Sequence, residues 1–268
     1  IMNKKFLLIA VLVLASISGF AQAQFALYGG GAFPMGKLKA GELKDDDPNK
    51  WALLNERGDE GYAGIGFNVG MDILFPLNSV DGLGITFGAD FFYNGYNSEL
   101  KDWASDFKDD GEDDFDKFTF KKPRIMNVPI MLGARYLYEV SDGFGIFAEA
   151  GLGLNMRMIS PFKVENEYEM ENPYGYGYGY GYRNNTETVK YKIAVSFAFK
   201  AGAGIMLADH LSIGVDFYAL GSSKVQAKYT LEQEYEDDYD HYIEKVSRNF
   251  KSKPLSCSEL ALRIGYHF

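Results

Sequence analysis

Apolar and polar residues alternate with period two along eight segments of the chain, a pattern typical of β-strands whose two faces meet different surroundings. In the last segment, Leu262 and Ile264 share one face, whereas Ala261 and Arg263 share the other. Most of these segments reach the ~9–11 residues with which a strand crosses a membrane. The predicted strands are residues 25–34, 61–75, 83–94, 127–138, 144–157, 191–207, 211–222 and 255–268.

The connections between these segments are sorted by length. The long ones are residues 35–60, 95–126, 159–190 and 223–254, and the short ones are 76–82, 139–143 and 208–210. Long and short connections alternate, and both chain ends fall on the side of the short ones, as in up-and-down barrels that cross a membrane. We therefore predict an all-β fold: an eight-stranded antiparallel up-and-down transmembrane β-barrel with four long extracellular loops.

Glycine placement indicates which face of the predicted barrel points inward. A soluble lipocalin-like barrel would also alternate, with its apolar side chains inside. The interior of an eight-stranded barrel is only just wide enough for side chains, so small residues should gather there. Because glycine lies mainly on the polar face, we predict that this face lines the interior and that the apolar face meets lipid. The glycines concerned are Gly64, Gly66, Gly70, Gly84, Gly88, Gly133, Gly145, Gly151, Gly153, Gly202, Gly204 and Gly214.

The predicted interior carries four acidic and four basic residues. Buried charges must be paired, and equal numbers allow a neutral network across the lumen that would conduct ions poorly. The alternative is a set of unrelated, solvated charges in a wide and wet pore, for which eight strands leave little room. The predicted network consists of Asp72, Asp90, Glu149 and Asp216 with Arg135, Arg157, Lys200 and Arg263.

Aromatic residues cluster near the predicted strand ends, where transmembrane barrels carry girdles at the membrane interfaces. Ordinary aromatic packing is the alternative. The predicted girdle residues are Phe25, Tyr28, Phe75, Tyr93, Tyr136, Tyr138, Phe144, Tyr266 and Phe268.

The N-terminus has the pattern of a secretory signal peptide. Lys4 and Lys5 precede the apolar run 6–17, and Ala21-Gln22-Ala23 supplies a cleavage site. We predict a signal peptide over residues 1–23 and a barrel domain over 24–268. The formal net charge of −10 argues against nucleic acid as a partner.

The long connections contain three unusual stretches. The third repeats Tyr-Gly, with Tyr174, Tyr176, Tyr178, Tyr180 and Tyr182, and we predict an exposed loop that is either sticky or extends the hairpin above the membrane. Acidic residues crowd residues 109–116 and 232–244, and are interpreted as solvated charge, which is the usual role of such blocks. The alternatives are calcium binding, although neither stretch has the EF-hand spacing, and a share in the divalent ions that bridge lipopolysaccharide. His241 alone has no catalytic partner in the pattern, so we predict no catalytic, cofactor-binding or metal-binding residues and no enzyme activity.

Several stretches resemble a known family. The chain ends ELALRIGYHF, and its Tyr266 and Phe268 resemble the C-terminal signal read by the barrel assembly machinery. VPIMLGARYLYE, GIFAEAGLGLNM and AGIMLADHLSIGVDFYALGSS are similar to strands of the small, porin-like outer-membrane β-barrels common in Bacteroidetes, of the OmpA, OmpX and OmpW type. The resemblance implies the fold and the cell outer membrane as location, with membrane lipid and lipopolysaccharide as neighbours, but no catalytic residues.

These features favour a surface structural or adhesion-like protein. A plugged barrel would anchor long loops that meet an extracellular ligand or protein. The alternatives are a narrow channel for small or hydrophobic solutes, and an accessory component of a secretion or gliding apparatus.

Overall fold

The computed structural model describes residues 23–39, 61–96, 117–121, 123–171, 180–236 and 241–268. They form thirteen strands and one short 3-10 turn, Gly36–Leu38. The strands are β1 Gln24–Met35, β2 Ala63–Pro76, β3 Leu83–Tyr96, β4 Lys117–Lys121, β5 Ile125–Ser141, β6 Phe144–Ile159, β7 Phe162–Glu171, β8 Tyr180–Tyr191, β9 Ala194–Leu207, β10 Leu211–Ser223, β11 Gln226–Glu236, β12 His241–Lys251 and β13 Leu255–His267.

Eight strands close into a barrel in the order β1-β13-β10-β9-β6-β5-β3-β2. Every pair is antiparallel, and β13 closes the barrel against β1 with Phe33 opposite Leu260. The predicted fold class is confirmed, and the eight predicted segments correspond to these eight strands. Within the described ranges, no helix has the length and apolar character that crossing a membrane requires.

The long connections differ from the prediction, because three of them contain further strands. β4, β7, β8, β11 and β12 form a second antiparallel sheet in the order β12-β11-β8-β7-β4. This order repeats that of their barrel neighbours β13, β10, β9, β6 and β5, and β7 begins only three residues after β6 ends. One side of the barrel wall thus continues beyond the barrel as a five-stranded sheet, which we call the outer sheet.

The two faces of the barrel wall differ as predicted. The outer surface exposes large apolar side chains, including Ile65 at 73%, Leu152 at 69% and Phe197 at 84% of their area. The inner surface buries charged and amide side chains, among them Asn68, Arg135 and Lys200. This is the reverse of a soluble barrel, in which water would meet the polar face.

Two apolar clusters lie toward the end of the barrel that carries the outer sheet. The first joins Leu38 of the 3-10 turn to Phe92, Ile125 and Leu255, all at most 1% exposed. The second lies on the outer sheet and contains Phe162, Val164, Val189, Ala227 and Phe250, with Tyr62 and Tyr96 packed against it. The clusters attach the outer sheet to the barrel and cover this end of the lumen.

Candidate functional site

Seven of the eight predicted lumen charges meet in one network, and each comes from a different strand. β2 and β3 supply Asp72 and Asp90, β5 and β6 supply Arg135 and Glu149, and β9, β10 and β13 supply Lys200, Asp216 and Arg263. All seven are at most 8% exposed. Since side chains alternate between the two faces of a strand, one correctly oriented residue per strand is enough to build a ring of charge.

Glu149 and Arg263 are the two centres of this network. Arg135 Nη2 lies 2.6 Å from Glu149 Oε2, and Lys200 Nζ lies 2.6 Å from Glu149 Oε1. Arg263 Nη1 lies 2.6 Å from Asp216 Oδ2. Its Nη2 lies 3.1 Å from Asp90 Oδ1, although the angle is poor for a hydrogen bond, so this contact is an ion pair only.

Asp72 joins the two centres. Its Oδ2 lies 3.4 Å from Arg135 Nη2, 3.7 Å from Lys200 Nζ and 4.0 Å from Arg263 Nη2. Removing one member of such a buried set leaves an uncompensated charge, at a cost of about 3–5 kcal/mol.

Two tyrosines that the sequence analysis did not place in the lumen complete the network. Arg135 Nη2 donates a hydrogen bond to Tyr28 Oη at 2.7 Å, and the Arg263 guanidinium lies 3.9 Å from the Tyr28 ring centroid. Arg263 Nη1 donates to Tyr218 Oη at 2.8 Å, which donates to Asp90 Oδ2 at 2.8 Å. The prediction that Tyr28 belongs to an aromatic girdle is wrong, because its side chain is only 7% exposed. Its shared face with the small Ala26 and Ala32 is the signal that would have placed it inside.

Glycines make the room that the carboxylates occupy. A Cβ added to Gly88 would lie 1.8 Å from Asp72 Oδ1, and one added to Gly202 would lie 1.6 Å from Asp216 Oδ1. Asp72 pairs with Gly88 and Asp216 with Gly202 on the neighbouring strands. Gly88 and Gly202 are therefore part of the charge network, because they let the Asp72 and Asp216 carboxylates lie flat against the barrel wall.

Arg157, the eighth predicted charge, does not join the network. It lies nearer the outer sheet, where it donates hydrogen bonds to Ser223 Oγ at 3.0 Å and to the Leu255 carbonyl at 3.1 Å. Glu259, which the sequence analysis missed, is fully buried in the same region and accepts a hydrogen bond from Asn127 Nδ2 at 3.2 Å. Among the residues that the structure describes, the interior thus has five carboxylates in two layers, and not four in one set. Glu259 shares the face of Ala261 and Arg263.

A small cavity lies within the network. A cavity of about 10 Å³ is lined by Tyr28, Arg135, Phe147, Glu149, Ser212, Gly214, Asp216 and Arg263. That volume holds roughly one water molecule.

The predicted tyrosine tract is only partly within the described residues. Tyr174, Tyr176 and Tyr178 lie outside them, whereas Tyr180 and Tyr182 belong to strand β8 and not to a loop. The N-terminal residues 1–22 and the acidic stretch 109–116 also lie outside them.

One face of the outer sheet carries a row of aromatic and amide side chains. The Arg183 guanidinium lies 5.0 Å from the Tyr235 ring centroid, and Tyr235 stacks on Tyr242 with centroids 4.6 Å apart. Asn185 Oδ1 accepts hydrogen bonds from Arg183 Nε at 3.2 Å and Gln233 Nε2 at 2.9 Å. We call these five residues the ladder. They offer a flat aromatic surface beside hydrogen-bonding groups, and Tyr242 is 56% exposed.

A hydrogen bond between Tyr229 and Glu187 lies on the same face, closer to the barrel. Burial raises the pKa of Glu187 above its usual range, and the hydrogen bond from Tyr229 opposes this shift. Burial and the neighbouring Glu187 raise the pKa of Tyr229 to about 12. The phenol therefore stays protonated at neutral pH and acts as a donor.

His241 contacts Glu234 and no nucleophile in the described part of the chain. Its Nε2 lies 2.8 Å from Glu234 Oε1, and both side chains are solvent-exposed. Within the described ranges, no group of three or more His, Cys, Asp or Glu residues could hold a metal ion.

The two residues of the predicted assembly signal lie on the outer face of the barrel at the end with short turns. Tyr266 is 49% and Phe268 is 65% exposed, and their ring centroids are 4.9 Å apart. Phe268 also packs against Phe25 at 6.0 Å. Recognition by the assembly machinery stays a prediction.

Comparison with known proteins finds similar folds but no family. No family model and no curated protein matches the chain. A structure of the outer membrane protein OprG from Pseudomonas aeruginosa is 15% identical with a TM-score of 0.42, covering 92% of this chain and 96% of that one. Ail, the attachment invasion locus protein of Yersinia pestis, is 10% identical with a TM-score of 0.37, covering 92% and 99%.

Proposed function

We propose that the protein is an outer-membrane β-barrel that carries no open pore and presents the outer sheet as a binding surface outside the cell. The observation that carries this proposal is the charge network, in which side chains from seven strands meet across the lumen. A barrel filled in this way would anchor the protein in the membrane but would not let solutes pass through.

The exposed apolar wall supports a membrane location. A continuous outer surface of Ile65, Leu152, Phe197 and similar residues would be unfavourable in water, and apolar patches of this size mark membrane contact. Aromatic side chains at the short-turn end, including Tyr138 and Phe268, match the girdle of an interface. In bacterial barrels of this kind, short turns face the periplasm, so the outer sheet would lie outside the cell.

The filled lumen favours an anchor over a channel. The cavity within the charge network has room for about one water molecule, and the apolar cluster around Leu38 and Leu255 lies on the side of the outer sheet. A channel for small or hydrophobic solutes would require both layers to move aside.

The ladder is the part of the outer sheet best suited to bind a ligand. Tyr and Arg are enriched in binding surfaces, because they bury large areas and form directional contacts. Arg183, Tyr235 and Tyr242 already hold one another in place, so little side-chain entropy remains to be lost on binding.

Attachment of cells that display the protein tests the proposal. Cells that express the wild type should adhere to host-cell or neighbouring-cell layers more than cells that lack the gene, and Tyr235→Ala/Tyr242→Ala should lose most of this adhesion. Thr230→Ala/Ser247→Ala is the matched control, because these residues face each other on the same two strands but on the opposite face. Equal adhesion by the wild type and by cells without the gene would contradict the proposal. Co-purification of a secretion or gliding complex from native membranes would favour the accessory role instead.

A further inference from the structure

Positive charge is concentrated at the junction between the barrel and the outer sheet, although the chain as a whole has a net charge of −10. Residues 188–198, 217–231 and 245–258 contain no Asp or Glu. The three segments cross from the outer sheet into the barrel at β8–β9, β10–β11 and β12–β13. They carry six exposed lysines that we call the lysine band: Lys190, Lys192, Lys224, Lys228, Lys251 and Lys253.

Several lysines of the band occupy neighbouring positions of the outer sheet, and none pairs with a carboxylate in the part of the chain that the structure describes. Lys190 and Lys228 are directly opposite each other on β8 and β11, and Lys251 is opposite Gln226 on β12 and β11. None of the six forms an ion pair with a carboxylate of the described residues. By contrast, Lys163 at the start of β7 pairs with Glu165, and Lys245 on β12 pairs with Glu232. Like charges directly opposite each other in a sheet are destabilising unless an anion lies between them.

The position of the band relative to the apolar wall indicates where such an anion would come from. Lys192 is followed by Ile193, Val195 and Phe197, which are 64%, 57% and 84% exposed on the outer face of the barrel. The lysine band therefore begins where the apolar outer surface of the barrel ends. If this surface spans a membrane, the lysines lie at the level of the lipid headgroups.

A groove runs beside the lysines. It has a volume of about 440 Å³ and is lined by Lys192, Gln226, Ala227, Asn249, Phe250 and Lys251. Its two lysines and two amide side chains offer hydrogen-bond donors to an anion, and each positive charge near an anionic membrane surface strengthens attachment.

We propose that the lysine band binds the phosphate groups of the anionic glycolipid in the outer leaflet around the barrel. This inference rests on the proposed outer-membrane location and adds a specific lipid contact to it. Such binding would fix the depth of the barrel and the foot of the outer sheet, and so hold the ladder at a set height above the membrane.

Binding of a phosphorylated glycolipid to the full-length protein in neutral detergent micelles tests the inference. The probes are lipid A and the same lipid after enzymatic removal of its phosphates. The wild type should bind lipid A more tightly than the dephosphorylated form, and the preference should weaken as the salt concentration rises. Lys190→Gln/Lys228→Gln should weaken binding of lipid A roughly 25-fold, the effect of two lysines at a charged membrane surface.

Lys163→Gln/Lys245→Gln is the control, since it removes the same charge from lysines that are already paired. It should change the affinity for lipid A less than about twofold. Equal binding of both lipids by the wild type, or equal losses in both variants, would overturn the inference. If inorganic phosphate raised the unfolding temperature as much as lipid A does, the lysine band would be assigned to a soluble anion instead of a lipid. If the protein stayed monomeric in water without detergent, the proposed membrane location itself would be wrong. The failure of the lipid inference can therefore be distinguished from the failure of the proposed function.

Discussion

Arg135 and Glu149 lie opposite each other on β5 and β6 and are joined by two hydrogen bonds, from Arg135 Nη2 at 2.6 Å and from Arg135 Nε at 2.9 Å, both to Glu149 Oε2. Both side chains are buried, at 3% and 8% exposed. The same carboxylate also contacts Lys200, so these contacts tie the three neighbouring strands β5, β6 and β9 together on the inner face of the barrel. Such a contact explains how a polar interior can be rigid.

Arg263→Gln should destabilise the barrel by about 3–5 kcal/mol, because Asp90 and Asp216 then lose their main partner in a buried site. The unfolding free energy in urea, measured in detergent micelles or lipid vesicles, checks this value. Arg124→Gln is the control, since Arg124 is exposed and lies 5.7 Å from the Tyr93 ring on the outer face. Equal losses in the two variants would show that the interior charges are solvated.

Gly202→Ala should also destabilise the barrel, by about 1–3 kcal/mol, because the new methyl group would displace the Asp216 carboxylate. Gly29→Ala is the matched control in the same barrel, where the nearest atom to the new Cβ is the Asn68 carbonyl oxygen at 3.9 Å. Urea unfolding of both variants measures the difference. A Gly202→Ala protein as stable as the wild type would mean that Asp216 is not held against the wall.

The outer sheet should respond to pH through Glu187. Burial raises the pKa of Glu187 in the folded state above its value in the unfolded chain, so the native sheet prefers the protonated form. Stability of the sheet should therefore be greatest below the unfolded pKa and fall as pH rises through the range up to the folded pKa. Hydrogen exchange of the β8 and β11 amides from acid to neutral pH measures this dependence. The Glu187→Gln variant should lose this pH dependence. If its hydrogen exchange depended on pH as in the wild type, another titratable group would be responsible.

The sequence predicts the barrel well because its strands have one apolar and one polar face. The outer strands escaped prediction because they lack this contrast. β12, for example, reads HYIEKVSRNFK and exposes all but one of its residues. Such strands form because barrel strands continue into them and supply the hydrogen-bonding register, which local patterns do not reveal.

The charge network can also be predicted in large part, because side chains alternate between the two faces of a strand. Alternation identifies which charges point inward, and so places Asp72 and Arg263 in the lumen. Alternation does not give the height of a residue along the barrel, which is why it cannot separate Arg157 from the charge network. For Tyr28, the position near a strand end indicates a girdle, whereas the face that it shares with Ala26 and Ala32 indicates the lumen.

The conductance of the purified full-length protein in planar lipid bilayers tests the closed lumen most directly. With the charge network and the apolar cluster in place, insertion should produce no stable open-channel steps at either polarity. Steady ohmic steps from the wild-type protein, reproducible across salt concentrations, would contradict the account.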